Sequence, residues 1–195
     1  GDDAIDLSNV TELTFPSFSS EPDSLVITTG SGHDTIIGSG FDDTIEAGNG
    51  IDAISGGPGD DLIYGDRNDG GSGDDLIYGN DGDDRIFGGN GDDLIYGNTG
   101  EDSLLGGGGN DRIEGGTGRD LAHGGLDDDT ILGEAGNDTL HGGVSDDECL
   151  PDTSCVLDTA GADVIDGGSG HDSISGNGGD DVLLGGTGDD AVSGD

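Results

Sequence analysis

Residues 70–141 divide into eight units of nine residues, which read GGSGDDLIY, GNDGDDRIF, GGNGDDLIY, GNTGEDSLL, GGGGNDRIE, GGTGRDLAH, GGLDDDTIL and GEAGNDTLH. Each unit has six glycine-rich, acidic residues, followed by three residues with an aliphatic side chain in the middle. We number positions one to six as the loop and seven to nine as the strand. A unit this small cannot bury its own apolar side chain, so such units must stack to form a continuous core.

The same frame continues on both sides of this stretch, with an aspartate at position six of each unit. Two insertions interrupt it, near residues 65–69 and 144–160. We therefore divide the chain into an N-terminal segment, 1–29, and a repeat region, 30–195. The sixth-position aspartates are Asp34, Asp43, Asp52, Asp61, Asp75, Asp84, Asp93, Asp102, Asp111, Asp120, Asp129, Asp138, Asp163, Asp172, Asp181 and Asp190.

The pattern GGxGxDxUx, in which U is a large aliphatic residue, resembles the nonapeptide of the RTX (repeats-in-toxin) family. The resemblance implies an all-β fold, a parallel β-roll (a right-handed β-helix or solenoid) of about sixteen nonapeptide repeats, two to a turn. It also implies roughly a dozen Ca²⁺ ions between stacked loops, held by the sixth-position aspartates and by loop carbonyls. The glycines expected to supply carbonyls are Gly57, Gly59, Gly71, Gly73, Gly82, Gly89, Gly91, Gly107, Gly109, Gly116, Gly118, Gly168, Gly170, Gly186 and Gly188.

The residue types suit this chemistry without the family name. Calcium takes six to eight oxygen ligands from carboxylates and carbonyls, and glycine lets a loop turn its carbonyls inward. Alternate units fall on opposite sides of the roll, so Asp75 and Asp93 share one column while Asp84 and Asp102 share the other. Parallel strands stack about 4.8 Å apart. Carboxylates in one column would therefore repel each other unless a cation lay between them.

Composition points the same way. The chain has 45 acidic residues against four basic ones, for a formal charge of −41, and only 28% of its residues are hydrophobic. One inward aliphatic side chain per unit buries too little apolar surface to offset the entropy of ordering the backbone. The sequence therefore predicts a chain that is unfolded without calcium. The negative charge also excludes nucleic acid as a partner, because phosphates would be repelled.

The N-terminal segment and the long insertion do not follow the repeat. AIDLSNVTELTF and SLVITT favour β-strands, and we expect residues 1–29 to cap the open end of the roll. The insertion contains Cys149 and Cys155, and we predict that they form a small disulfide loop, which implies an oxidising compartment. No apolar run is long enough to cross a membrane.

Two departures and four histidines fall within the repeats. Phe41 and Asp127 stand where position four calls for glycine, which predicts poor sites in those two loops. The histidines at position five, His33 and His171, are expected to face solvent without a role. His123 and His141, eighteen residues apart, should lie about 5 Å apart on adjacent strands, where they could chelate Zn²⁺ or Ni²⁺.

Large apolar side chains occupy positions seven and nine in one part of the repeat region. Column phase places Leu76, Tyr78, Leu94 and Tyr96 on one sheet, and Leu62, Tyr64, Phe87 and Leu105 on the other. Outward-facing patches of this kind often mark interaction sites. The hypothesis is therefore a protein or saccharide partner at these patches, and cross-strand packing alone is the alternative explanation.

These observations favour a non-catalytic function. We predict a calcium-binding structural module of an exported protein. The resemblance to RTX proteins implies type I secretion and folding outside the cell. Alternatives are an accessory domain of a secreted enzyme (a protease, lipase or epimerase), or an adhesin or saccharide-binding segment. No catalytic motif accompanies the repeats.

Overall fold

The computed structural model describes residues 1, 3–6, 25–66, 71–143, 161–177 and 179–194. These residues form two parallel sheets, and no helix occurs among them. The strands are β1 (Ala4–Asp6), β2 (Leu25–Ser31), β3 (Thr35–Ile37), β4 (Asp43–Asn49), β5 (Ala53–Pro58), β6 (Leu62–Tyr64), β7 (Leu76–Asp81), β8 (Arg85–Asn90), β9 (Leu94–Thr99), β10 (Ser103–Gly108), β11 (Arg112–Gly118), β12 (Leu121–Leu126), β13 (Thr130–Gly136), β14 (Thr139–Gly143), β15 (Val164–Asp166), β16 (Ser173–Ser175), β17 (Val182–Leu184) and β18 (Ala191–Ser193).

The chain alternates between the two sheets. One sheet contains the odd-numbered strands in sequence order and the other the even-numbered strands, so each strand pairs with the next but one. Equivalent positions of adjacent turns face each other, as when Ile77 pairs with Ile95. Across the insertions the same register holds, with Ile54 opposite Ile77 and Ile131 opposite Ile165. The structure is therefore a parallel β-roll of about eight turns, as predicted.

The core is a double row of position-eight side chains, one row from each sheet. Position eight points inward and is fully buried in the central strands, whereas positions seven and nine face outward. Ala122 is the one small residue among the buried members of these rows. The buried members are Ile27, Ile36, Ile45, Ile54, Ile63, Ile77, Ile86, Ile95, Leu104, Ile113, Ala122, Ile131, Leu140, Ile165 and Ile174.

The described part of the N-terminal segment extends this stack. Strand β1 pairs with β3 and β2 pairs with β4, both in parallel. Ile27 lies in the core, and Ile5 packs against it. The sheets of the described residues therefore each begin with a strand from outside the sixteen predicted repeats.

Both insertions lie within loops of one column. Gly65 takes position one and Asp66 position two of the loop that ends at Asp75, because a Cβ on Gly65 would overlap the Oδ2 atom of Asp75. In the same way Gly142 takes position one of the loop that ends at Asp163. The sequence frame had instead begun the first of these loops at Gly70. The predicted disulfide between Cys149 and Cys155 lies outside the described residues.

The outward aromatic residues stack in pairs along the sheets. Tyr78 and Tyr96 lie on the odd-numbered sheet with ring centroids 4.8 Å apart and an interplanar angle of 6°. Tyr64 and Phe87 lie on the even-numbered sheet with centroids 4.9 Å apart and an angle of 8°. All four are half-buried, and the assignment to two sheets is the one that the column phase predicts.

Candidate metal centre

The sixth-position aspartates form a hydrogen-bonded ladder along each side of the roll. The backbone N–H of Asp93 donates to Oδ1 of Asp111 at 2.8 Å, and that of Asp75 donates to Oδ1 of Asp93 at 2.8 Å. Comparable bonds join the other column, for example from Asp84 to Asp102 at 2.8 Å. Each carboxylate is thus fixed by the preceding turn of its own column.

The second oxygen of most of these carboxylates lacks a donor. In the central turns the aspartates are almost completely buried; Asp93, for example, is 2% exposed. A buried acceptor without a partner is costly, and far more so when it is charged. The residues whose Oδ2 atom is buried without a hydrogen-bond donor are Asp34, Asp52, Asp61, Asp75, Asp84, Asp93, Asp102, Asp111, Asp120, Asp129, Asp138 and Asp172.

The unpartnered oxygen faces another oxygen across the first glycine of its loop. A Cβ added to Gly88 would overlap Oδ2 of Asp93 and lie 2.7 Å from the carbonyl oxygen of Gly106, in the next turn. A Cβ on Gly97 would likewise overlap Oδ2 of Asp102. Glycine is required at position one because a carboxylate and a carbonyl converge there. Two oxygens that converge without a hydrogen between them suit a cation.

Burial raises the pKa of these carboxyl groups. Loss of solvation raises the pKa of Asp75, Asp84, Asp93 and Asp111 from 3.8 to about 8. Backbone hydrogen bonds lower these pKa values and neighbouring carboxylates raise them, but both effects are smaller than desolvation. The pKa of Asp61 is raised to about 7 by the same cause. Without a cation, these carboxyl groups would therefore be protonated to a large extent near neutral pH.

This donor set fits calcium. The converging groups are carboxylate and carbonyl oxygens, which a hard cation prefers. Within the described residues no three Asp, Glu, His or Cys side chains could hold an ion together. Backbone carbonyls must therefore complete any calcium site in these loops, as the glycines allow. When bound, the ion would supply the positive charge that the convergent oxygens lack.

The predicted carbonyls fall into two groups. Those at position four point along the column, since a Cβ on Gly109 would overlap the carbonyl oxygen of Gly91. A position-two carbonyl, that of Gly168, accepts a backbone N–H from Thr187 at 2.8 Å. The first-position carbonyls, such as that of Gly106, were not among the predicted ligands. Their signal was the near-constant glycine at position one.

The first loops of the repeat region depart from this pattern. The Ser39 backbone N–H donates to Oδ2 of Asp43 at 2.6 Å, and its hydroxyl donates to Oδ1 at 3.0 Å. The carboxylate of the Phe41 loop is thus satisfied within its own loop. The next loop begins with Ala47, which is fully buried and whose methyl group occupies the position that glycine leaves open elsewhere. By contrast, the loop containing Asp127 keeps a buried, unpartnered Oδ2 on Asp129.

The last two aspartates of the prediction are less enclosed. Asp181 accepts the N–H of Asp163 at 3.0 Å, and Asp190 accepts that of Asp172 at 3.1 Å. Both are only partly buried. The ladder of hydrogen bonds therefore extends to the final turn, but the carboxylates of that turn are not fully buried.

Asp66 is a buried acidic residue that the repeat pattern did not reveal. It is 5% exposed, and its Oδ2 accepts the N–H of Asn90 at 3.2 Å. Its charge raises the pKa of Asp75 and of Asp93, so it lies beside their column. The repeat alignment had assigned Asp66 to the insertion and so concealed its loop position.

A second ladder runs through position five in the opposite direction. The N–H of Asn110 donates to Oδ1 of Asp92, in the preceding turn, at 2.8 Å. The two fifth-position histidines act in the same way. Nδ1 of His33 accepts the N–H of Ile51 at 3.2 Å, and Nδ1 of His171 accepts that of Asp189 at 2.9 Å. Both histidines are exposed, as expected, and their rings take the acceptor position that Asp or Asn has in other loops.

Comparison with known proteins agrees with this geometry. A model of the RTX calcium-binding nonapeptide repeat (4 copies) matches residues 26–40, 37–69, 69–95, 87–122, 123–149 and 158–192. The matched segments cover well over half of the chain. A search of curated proteins found no match.

The two ladders provide a matched test within one loop. Asp93→Asn removes a buried charge and should raise the calcium midpoint of folding about threefold or more, because ligand charge sets calcium affinity. Asp92→Asn changes an exposed group that keeps its acceptor oxygen and should leave the midpoint nearly unchanged. Circular dichroism during calcium titration measures both. Equal shifts in the two variants would contradict the assignment of position six.

The raised pKa values also predict a pH dependence for the calcium-free chain. The pKa of these carboxyl groups is near 3.8 in the unfolded state, whereas burial raises the pKa of Asp93 in the fold to about 8. Between these values the folded state binds more protons, so stability falls as pH rises. Chelator-treated protein should therefore gain β-structure as the pH is lowered from about 8 to about 4. Circular dichroism that shows no gain over this window would contradict the prediction.

Proposed function

Because the chain belongs to the family of proteins with RTX calcium-binding nonapeptide repeats, we propose that it is a structural module that folds when it binds calcium outside the cell. The observation that carries the proposal is the set of buried carboxylate oxygens without donors, which recurs in both columns. Calcium between successive loops would neutralise these oxygens. The chain would then fold and bind calcium in one coupled step.

The proposed ligands are the sixth-position aspartates, with carbonyls of glycines at positions one, two and four. The central turns, from Asp61 to Asp138, have the most complete arrangement. The loop of Asp43 contributes least, since Ser39 already satisfies its carboxylate. About a dozen ions follow if one ion lies between each pair of complete loops.

Export of the chain from the cell is consistent with folding that depends on calcium. Without calcium, the negative charges of the chain, whose formal net charge is −41, repel one another and favour an extended state. The burial of its carboxylates also opposes folding until the ion is present. Such a chain would remain unfolded where calcium is scarce and fold where calcium is plentiful. Among the residues that the structure describes, no helix is long and apolar enough to span a membrane.

The N-terminal segment is proposed to protect the first edge of the roll. Strands β1 and β2 occupy the ends of their sheets, and Asp3 donates its N–H to Oδ1 of Asp34 at 2.7 Å. An uncovered parallel edge would invite pairing with other chains. Residues 1–29 would act there as a cap for the repeat region 30–195.

A protein or saccharide partner at the outward patches remains a proposal. The Tyr78–Tyr96 and Tyr64–Phe87 stacks leave the rings half-buried, and cross-strand stacking is itself stabilising. A role as the accessory domain of a secreted enzyme is compatible with the same module. In that role, catalytic residues would be supplied outside the repeats.

Calcium should convert the chain from disordered to β-rich. In chelator we expect a disordered far-ultraviolet spectrum and an expanded radius of gyration, because the carboxylate columns oppose packing. Millimolar calcium should produce a cooperative change in both, and magnesium should fail because it demands a tighter octahedral shell. Circular dichroism and small-angle scattering measure the change. A compact, β-rich chain in chelator at neutral pH would contradict the proposal.

A further inference from the structure

His123 and His141 form an imidazole pair on the outer face of the even-numbered sheet. They are register partners on β12 and β14, and their ring centroids lie 4.6 Å apart with an interplanar angle of 24°. Both are half-buried at position nine of their strands. The pair therefore lies on the surface of the roll, outside the carboxylate ladders of the loops.

We propose that these two histidines bind one divalent ion of the later first transition row, with zinc as the expected occupant. Imidazole nitrogen is a preferred ligand of zinc, copper and nickel, whereas calcium requires oxygen. The site would thus select a different class of ion from the loops. The proposal goes beyond the calcium function and concerns residues that calcium does not need.

The spacing of the rings suits a shared ion. Zinc–nitrogen bonds of about 2.0–2.1 Å and tetrahedral geometry place the centroids of two imidazole ligands about 5 Å apart. The observed separation is 4.6 Å. From the stacked arrangement, the rings need only turn about the Cβ–Cγ bond, a torsion with a broad energy minimum. Water would complete the shell.

The electrostatic setting favours a cation at this pair. The net charge of the chain is −41, which draws cations to its surface. On this sheet Arg85 lies opposite Ser103, and Ser103 lies opposite Leu121 on β12. The guanidinium group of Arg85 therefore belongs to β8, the second strand away from β12 in this sheet.

A bound ion would link two turns at a particular place in the roll. His141 lies on β14, the last described strand before residues 144–160, and Gly142 begins the loop that contains them. Strands β12 and β14 are neighbours within one sheet. The ion would add a bond between these strands where the repeat is interrupted.

The other two histidines provide a control. Nδ1 of His33 and of His171 each accepts a backbone N–H, and the two side chains lie in different columns. Asparagine already performs this task at the same loop position, since Asn137 accepts the N–H of His171 at 2.8 Å. The double variant His33→Asn/His171→Asn should therefore keep the fold while halving the histidine content.

The experiment measures zinc binding to the full chain at saturating calcium. Equilibrium dialysis with Zn²⁺ should show one more tightly bound ion in the wild type and in the control than in His123→Phe or His141→Phe. Phenylalanine keeps a stacked ring, as Phe87 does beside Tyr64. Zinc should also raise the melting temperature of the wild type and the control, but not that of either Phe variant.

Circular dichroism at saturating calcium first verifies that each variant is folded, and the two single variants are independent routes to the same loss. Equal zinc stoichiometry in the wild type and both Phe variants would overturn the proposal, as would loss of the ion in the control. Calcium binding is measured separately in each sample, so failure of the zinc site is distinguishable from failure of calcium-dependent folding.

Discussion

Burial of like charges in register is the constraint on which the rest of this structure depends. Parallel strands repeat every turn, so whatever stands at one position of a loop faces its own copy in the next turn. Here that residue is an aspartate, which the fold almost completely buries. One oxygen is satisfied by the backbone of the preceding turn, as in the bond from Asp75 to Asp93, and the other is left facing a carbonyl. We propose that cations between successive turns neutralise these oxygens and so complete the fold.

The glycines and the aliphatic residues are consequences of that constraint. At position one a side chain would fill the space in which the two oxygens converge, so glycine is nearly constant there. At position four the loops stack so closely that a Cβ would overlap the carbonyl of the preceding turn. The aliphatic side chain at position eight seals the interior, but a single row from each sheet is a thin core. Backbone ladders and, in our proposal, carboxylates with bound cations therefore supply the stabilisation that a larger protein obtains from apolar burial.

The period predicted that the units stack, and the resemblance to RTX nonapeptides supplied the roll with two units to a turn, from which the two sheets, the core rows and the pairing of Tyr78 with Tyr96 were predicted. These follow from stacking equivalent positions and need no tertiary detail. The details of the loops could not be predicted in this way, because they depend on contacts between individual atoms. Gly65 rather than Gly70 begins the interrupted loop, so Asp66 becomes a buried member of it. Ser39 satisfies Asp43 through a local contact, and His33 serves as an acceptor because of its ring nitrogen. The repeat pattern contains no record of such contacts.

The number of calcium ions bound per folded chain tests the central claim most directly. Native mass spectrometry of the calcium-saturated protein should show a cooperative distribution centred on about a dozen ions, one for each pair of complete loops in the two columns. Chains with intermediate numbers should be few, since each ion completes a site between neighbouring turns. A compact, β-rich chain that carries only one or two ions would contradict the claim that cations complete the buried carboxylate columns.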